Sequence, residues 1–306
     1  MRRLFLLLIA FAASPSFGQS IAAPDLQAPD TTATPLMLWT LADEDNTVHL
    51  LGSVHFARPD LFPLAAPIEA AYDRAEVVVL EIDPAEMQAE SVSLMQRGIF
   101  PDTTTLAHVL PDSLYARTLA AVQPLGLPEI AVAKMEPWML SILVTTASLS
   151  NAGFGAGIDQ HYYERAVADE KTVHALETAA FQIGMFDTMP MASQVDYLRV
   201  TLDDQADTAA MLDSMTDAWL SGDTAGLDVF MNESFAEFPE LEAVVLTDRN
   251  AAWVPQVEAL LDGSEDALVV VGAAHLVGDN SVVTMLRDEG YTVTQVSDIQ
   301  ASPAQD

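Results

Sequence analysis

The stretch "HLLGSVHFARPD", His49–Asp60, runs from a β-prone apolar segment through Gly52 and Ser53 to His55, and breaks at Pro59. An apolar strand that ends in Gly-x-x-His delivers an imidazole to the C-terminal edge of the strand, where open α/β sheets bind ligands. Gly52 has no Cβ, so backbone or ligand can approach closely. A single copy is better explained by a structural histidine. A second copy shifts the weight: "VVVGAAHLVGDN", Val269–Asn280, repeats the order of apolar strand, Gly272, His275 and turn. The two stretches lie near opposite ends of the chain. If they form one site, the chain must bring both ends into one sheet.

Working outward, "PLMLWTLA" and "TVHLLGS" are β-prone runs separated by the turn signal "DEDN", which reads as a hairpin. "EVVVLEID", Glu76–Asp83, is a short apolar run ending in acids, read as a buried strand. Pro84 suits the first turn of the helix that follows. "TVHALE" and "YTVTQVS" read as further strands, and segments of helical spacing lie between them. Residues about 185–240 are acidic, Met-rich and helical in pattern. This alternation predicts an α/β class with mixed α+β character: a central mixed β-sheet flanked by helices, with a helical insertion subdomain. A single domain over residues 36–298 is expected, of a length that can bury a sizeable core.

The start "MRRLFLLLIAFAASPSFGQS" has two arginines, an apolar run and small residues before a plausible cut, so residues 1–18 read as a signal peptide. Residues 19–35 read as a disordered leader and 299–306 as a disordered tail. The expectation is an exported protein, periplasmic or secreted. With no cysteine there is no disulfide, no lipidated cysteine and no thiolate. The protein would therefore not be a lipoprotein, and any metal would be held by His, Asp or Glu. The formal charge of −33 repels nucleic acid and anionic lipid. No later apolar run is long enough for a transmembrane anchor. Gly-x-Ser-x-Gly, P-loop and His-Glu-x-x-His motifs are absent, which weakens serine hydrolase, nucleotide and thermolysin-like readings.

Glu81 closes the run "VVVLE", and a charge at the end of a buried strand is costly unless paired or on a metal. Two histidines and a glutamate at strand ends are a ligand set for a catalytic divalent ion with open positions. Arg249 and Asn250 in "TDRNAAW" begin a predicted helix, and Arg249 reads either as an oxyanion or carboxylate clamp or as a salt bridge. Asp159 in "GAGIDQH" reads as an N-cap or a site acid, and Glu177 in "HALET" as a second acid at a strand end. His49, His108, His161 and His174 lack a partner motif.

In this order the pieces "LLGSVHFARPDLFPL", "VVVLEID", "KMEPWML", "GIDQHYYERA", "ALETAAFQ", "DRNAAW" and "VVVGAAHLVGDNSVVTMLRDEGYTV" resemble the TraB/GumN family. That family is related to the Tiki metalloproteases and more distantly to ChaN and erythromycin-esterase-like folds. The resemblance spans about Leu38–Val296. It implies that Gly52 with His55, Gly272 with His275, and Glu81 are the family's defining residues, with Arg249–Asn250 its Arg-Asn pair. For Tiki relatives it implies peptide cleavage with manganese- or cobalt-type ions, zinc and iron being alternatives. For bacterial GumN-like relatives the substrate is undefined. The expectation is an exported metal-dependent hydrolase, a peptidase first, acting on a peptide or small-molecule substrate. His55, Glu81 and His275 would hold the ion, and Arg249 or Asn250 would stabilise the oxyanion. Glu81 stays open as ligand or general base. Two other readings remain: a binding protein for haem, iron or a small ligand, and a metal-free esterase-like hydrolase. The shared site predicts that His55, Glu81 and His275 converge at one edge of a single sheet.

Overall fold

The computed structural model describes residues 33–236 and 239–298. The expected signal peptide, nearly all of the leader and the tail lie outside the described residues. The main sheet has six strands: β1 (Thr34–Ala42), β2 (Thr47–Ser53), β4 (Val77–Leu80), β6 (Thr172–Ala175), β7 (Ala267–Gly272) and β8 (Thr294–Asp298). A second sheet pairs β3 (Phe56–Ala57) with β5 (Gly155–Ala156). β1 begins at Thr34, inside the span expected to be leader.

The strand order is β6-β4-β7-β2-β1-β8. β6, β4, β7 and β2 run parallel, while β1 is antiparallel to both β2 and β8. The expected hairpin is present. Asp43 Oδ1 accepts the N–H groups of Asp45 and Asn46 at 3.1 Å each, the local turn chemistry favoured by Asp. "VVVL" of β4 and "ALVVVG" of β7 are buried at every position, as a parallel strand covered on both faces requires. Each buried valine there contributes on the order of 1.5–3 kcal/mol by leaving water. The two motif-bearing strands do meet: β2 and β7 are neighbours, with Gly52 opposite Val271 and Ser53 opposite Gly272.

Helices fill the long connections. Those at Met191–Asp204, Thr208–Leu220 and Thr224–Phe235 occupy the expected insertion. The insertion is not a free-standing unit. Leu198 and Leu202 share a core with Leu140 and Val144 of the earlier helix Pro137–Asn151. Trp219 also pins the insertion to the sheet, its indole N–H donating to the Gly52 carbonyl at 2.6 Å.

The topology places the site. All four parallel strands end on the same edge. Glu177 follows β6, Glu81 follows β4 directly, His275 lies three residues beyond β7, and His55 two beyond β2.

Candidate functional site

Glu81 sits at the centre, 8% exposed. Its Oε1 accepts the Gly272 N–H at 2.7 Å, and its Oε2 accepts from Arg249 Nη2 at 2.6 Å and Gln182 Nε2 at 3.1 Å. Burial by itself would raise its pKa. The Arg249 guanidinium leads the opposing effects and, with the histidines and the Gly272 N–H, holds Glu81 well below the usual carboxylate range.

Gly272 shows why its position needs glycine. An ideal Cβ there would lie 3.2 Å from Glu81 Oε1, 3.6 Å from His275 Cδ2 and 3.7 Å from His55 Nε2. The three side chains read from the sequence as one site therefore converge on the volume that a Gly272 side chain would fill. Gly52 has a different task, since a Cβ there would come within 3.1 Å of Ala273 in the second motif.

Arg249 lies in the first turn of the helix Asp248–Leu261 and is 4% exposed. Its Nε donates to both oxygens of Glu177, at 2.9 and 3.0 Å, and its Nη2 donates to Glu177 Oε2 at 2.9 Å. Its Nη1 donates to the Val245 carbonyl at 3.0 Å. Trp253, one turn further along the helix, donates its indole N–H to Glu177 Oε1 at 3.0 Å and stacks beneath the guanidinium at 4.7 Å. Gln182 bridges the two carboxylates, lying 3.2 Å from Glu177 Oε2. Such a network satisfies a buried cation that would otherwise be costly.

The tautomer of His275 follows from its partners. Nε2 lies 3.1 Å from Arg249 Nη1, which can only donate. Nε2 is therefore the acceptor, and Nδ1–H donates to Asn250 Oδ1 at 2.6 Å. Asn250 is itself fixed by donating to the Asn280 carbonyl at 2.8 Å. Burial first, and then Arg249 and His55, push the His275 pKa down to about 3 against the opposing pull of Glu81, so the ring is neutral. His55 behaves in the opposite way. Its Nδ1 lies 3.3 Å from Asp159 Oδ1, an ion-pair distance without hydrogen-bond alignment. Burial lowers its pKa, but Asp159 and then Glu81 outweigh that effect and push it up to about 9. His55 is thus an imidazolium near neutral pH.

A cavity of about 540 Å³ opens over this floor, within the size range of small-molecule sites. His55, Glu81, Gly272, His275 and Arg249 line it together with Asp159 and Gln182. Asn250 and Glu177 stand behind the floor: Asn250 orients His275, and Glu177 holds Arg249. Asp159 faces His55 from the helix Ile158–Ala168, and its carboxylate caps no backbone N–H of that helix.

The donor set has the chemistry of a divalent-ion site, and both imidazoles turn Nδ1 toward an oxygen. Even so, it does not offer three open donors. Arg249 covers the lone pair of His275 Nε2 and one Glu81 oxygen. Among the described residues no group of three or more His, Asp or Glu side chains stands where it could hold a metal ion. Gln182 and Trp253 were not singled out from the sequence. Both lie in segments already quoted, and the Arg249–Trp253 spacing of four places them on one helix face.

The fold and the site together define an α/β protein with a composite charged site gathered from four parallel strand ends. The profile of the TraB/PrgY/gumN family matches residues 37–295, and the chain belongs to that family. It is 26% identical over 247 residues to the protein YbaP of Escherichia coli K12, covering 78% of this chain and 87% of YbaP. The Shigella flexneri YbaP matches equally. Both carry names that assign no activity. No solved structure matches significantly.

Proposed function

We propose that the chain is a hydrolase of carboxyl derivatives, amides or esters, with peptides the first substrates to test. The observation that carries this reading is the convergence of an imidazole and a carboxylate, His55 and Glu81, on the Gly272 backbone at the floor of a cavity. Glu81 holds the attacking water by an oxygen lone pair. The water oxygen bonds to the carbonyl carbon, and His55 gives its proton to the leaving nitrogen or oxygen as that bond breaks. The proton lost by the water restores His55. Arg249 fixes Glu81, and Asn250 fixes the His275 ring beside it. Arg249 already serves two carboxylates, so it acts as a positioning group rather than as an oxyanion donor.

One observation favours a metal-assisted version: both histidines turn Nδ1 to an oxygen, the arrangement that orients metal-bound imidazoles. His55, Glu81 and His275 would then be the residues to hold a manganese- or cobalt-type ion, which would require His55 to be deprotonated and His275 Nε2 to be free of Arg249. The ion would supply Lewis acidity. Export to the periplasm or the medium belongs to the same reading and is supported by the basic and apolar start of the sequence.

The test is profiling on quenched peptide and ester libraries, with chelator and with Mn²⁺, Co²⁺, Zn²⁺ or Fe²⁺. Cleavage by the wild type that His55→Ala and Glu81→Gln abolish while staying folded is the expected result. Loss on chelation with recovery on Mn²⁺ selects the metal-assisted version. Haem uptake without cleavage of any library overturns the hydrolase reading.

A further inference from the structure

The cavity has two unlike halves. One contains the charged floor and a mouth with Gln160 and Glu164. The other is walled by Leu212 and Met215 of the helix Thr208–Leu220, Leu227, Met231 and Phe235 of the helix Thr224–Phe235, and Val245, all of them buried. Ala274, next to His275, belongs to the same apolar cluster as Met231, Phe235 and Val245. The apolar half therefore begins beside the reacting floor.

That half offers no hydrogen bonds. Its one polar side chain among these helices, Trp219, already donates its indole N–H to the Gly52 carbonyl. Away from the terminal turns, the backbone amides of helical walls are bonded within their own helices. An extended peptide laid there would leave its own N–H and C=O groups unpaired, which is unfavourable. A methylene chain has no such groups and gains from each buried carbon. Met215 and Met231 are unbranched and can reshape around a chain of variable length. Among the charges that line the cavity, His55 is paired with Asp159 and the guanidinium of Arg249 is held by Glu81 and Glu177, which leaves the exposed acid Glu164. An anionic head group is disfavoured there.

We propose that the apolar half is an acyl-chain subsite, so that the substrate is an ester or amide of a long unbranched acid. Its carbonyl lies at His55 and Glu81, its chain runs between the two helices, and its neutral or cationic leaving group faces Glu164. This rests on the hydrolase reading above. Water adds to the acyl carbon, the C–O or C–N bond breaks, the alcohol or amine leaves with a proton, and the free acid remains.

The experiment has two readouts: turnover of butanoyl, octanoyl and dodecanoyl nitrophenyl esters, and binding of a neutral fluorescent dodecanoyl amide. Wild type and His55→Ala should both bind the dodecanoyl probe about tenfold or more tighter than its butanoyl counterpart. Met231→Trp, which fills the chamber, should remove that preference. Met231→Ala should keep dodecanoyl binding and extend it to longer chains. Circular dichroism and Tm establish that the variants fold, and Leu212→Trp on the facing helix replaces Met231→Trp if that variant does not. Chain-length preference without turnover of any substrate defeats the hydrolase reading and leaves the subsite standing. Turnover of peptides or butanoyl ester with no chain-length preference defeats the subsite, as does a folded Met231→Trp that binds the dodecanoyl probe like wild type.

Discussion

Arg249 is the residue on which the floor depends. It bonds Glu81, Glu177, the Val245 carbonyl and His275 in a space nearly closed to water. Removing it leaves buried carboxylates without their counter-charge, an effect worth about 3–5 kcal/mol. We expect Arg249→Met to lose that much at neutral pH in urea unfolding. The pH dependence carries the sign. In the wild type, Glu81 is held below its ordinary value of 4.5, so its contribution is present above that value and fades as pH falls through the depressed pKa. In Arg249→Met, burial dominates and raises the Glu81 pKa, so folding takes up a proton as pH falls. The gap between variant and wild type should therefore narrow between pH 7 and 4.5. A gap that stays constant or widens on acidification would contradict this assignment. That Arg249 matters was legible from its place in a basic-poor chain. That it faces inward to two acids was not, because Glu177 and Glu81 lie 72 and 168 residues away from it in sequence.

At the scale of elements, the strands announced themselves. β2, β4 and β7 are runs of β-branched and apolar residues bounded by Gly, Ser or acids, and each appears where expected. The junction between β2 and the helix Ile158–Ala168 did not. There the Ile158 N–H donates to the Val54 carbonyl at 3.0 Å, and a Cβ on Gly157 would come within 2.1 Å of that carbonyl oxygen. The contact seats Asp159 against His55. Gly157→Ala forces backbone apart on both sides and should cost about 1–3 kcal/mol, the range for overpacked sites. It should also weaken turnover by moving His55 from Glu81. Urea denaturation alongside ester turnover checks both effects, and an unfolding free energy within about 0.5 kcal/mol of wild type, the level of a neutral surface change, would refute the close-packing argument.

For the whole molecule, charge is the dominant feature: 45 acidic residues against 12 basic ones. Self-repulsion of like charges opposes the compact state, and salt shortens its reach from roughly 10 Å at 0.1 M to 3 Å at 1 M. Raising sodium chloride from 0.05 to 1 M should therefore raise Tm by several degrees, as read by scanning calorimetry. A Tm that falls would show that the surviving ion pairs, such as Arg58–Asp213 and Arg117–Asp203, outweigh the repulsion. Among the described residues no helix is long and apolar enough to cross a membrane.

The sequence by itself determined the family and the mixed sheet and pointed to His55, Glu81, His275 and Arg249 as candidates, because strand periodicity and the two Gly-x-x-His motifs are local patterns. Only the tertiary structure decided how those residues are wired. Parallel strands that end on one edge bring together groups far apart in the chain, and whether a carboxylate there meets an ion, a water or a guanidinium depends on the helix packed against that edge. Here the helix Asp248–Leu261 brings Arg249, Asn250 and Trp253 to that edge. Its side chains hold Glu81 and His275 in place, while Asp159 of the helix Ile158–Ala168 pairs with His55 at the cavity.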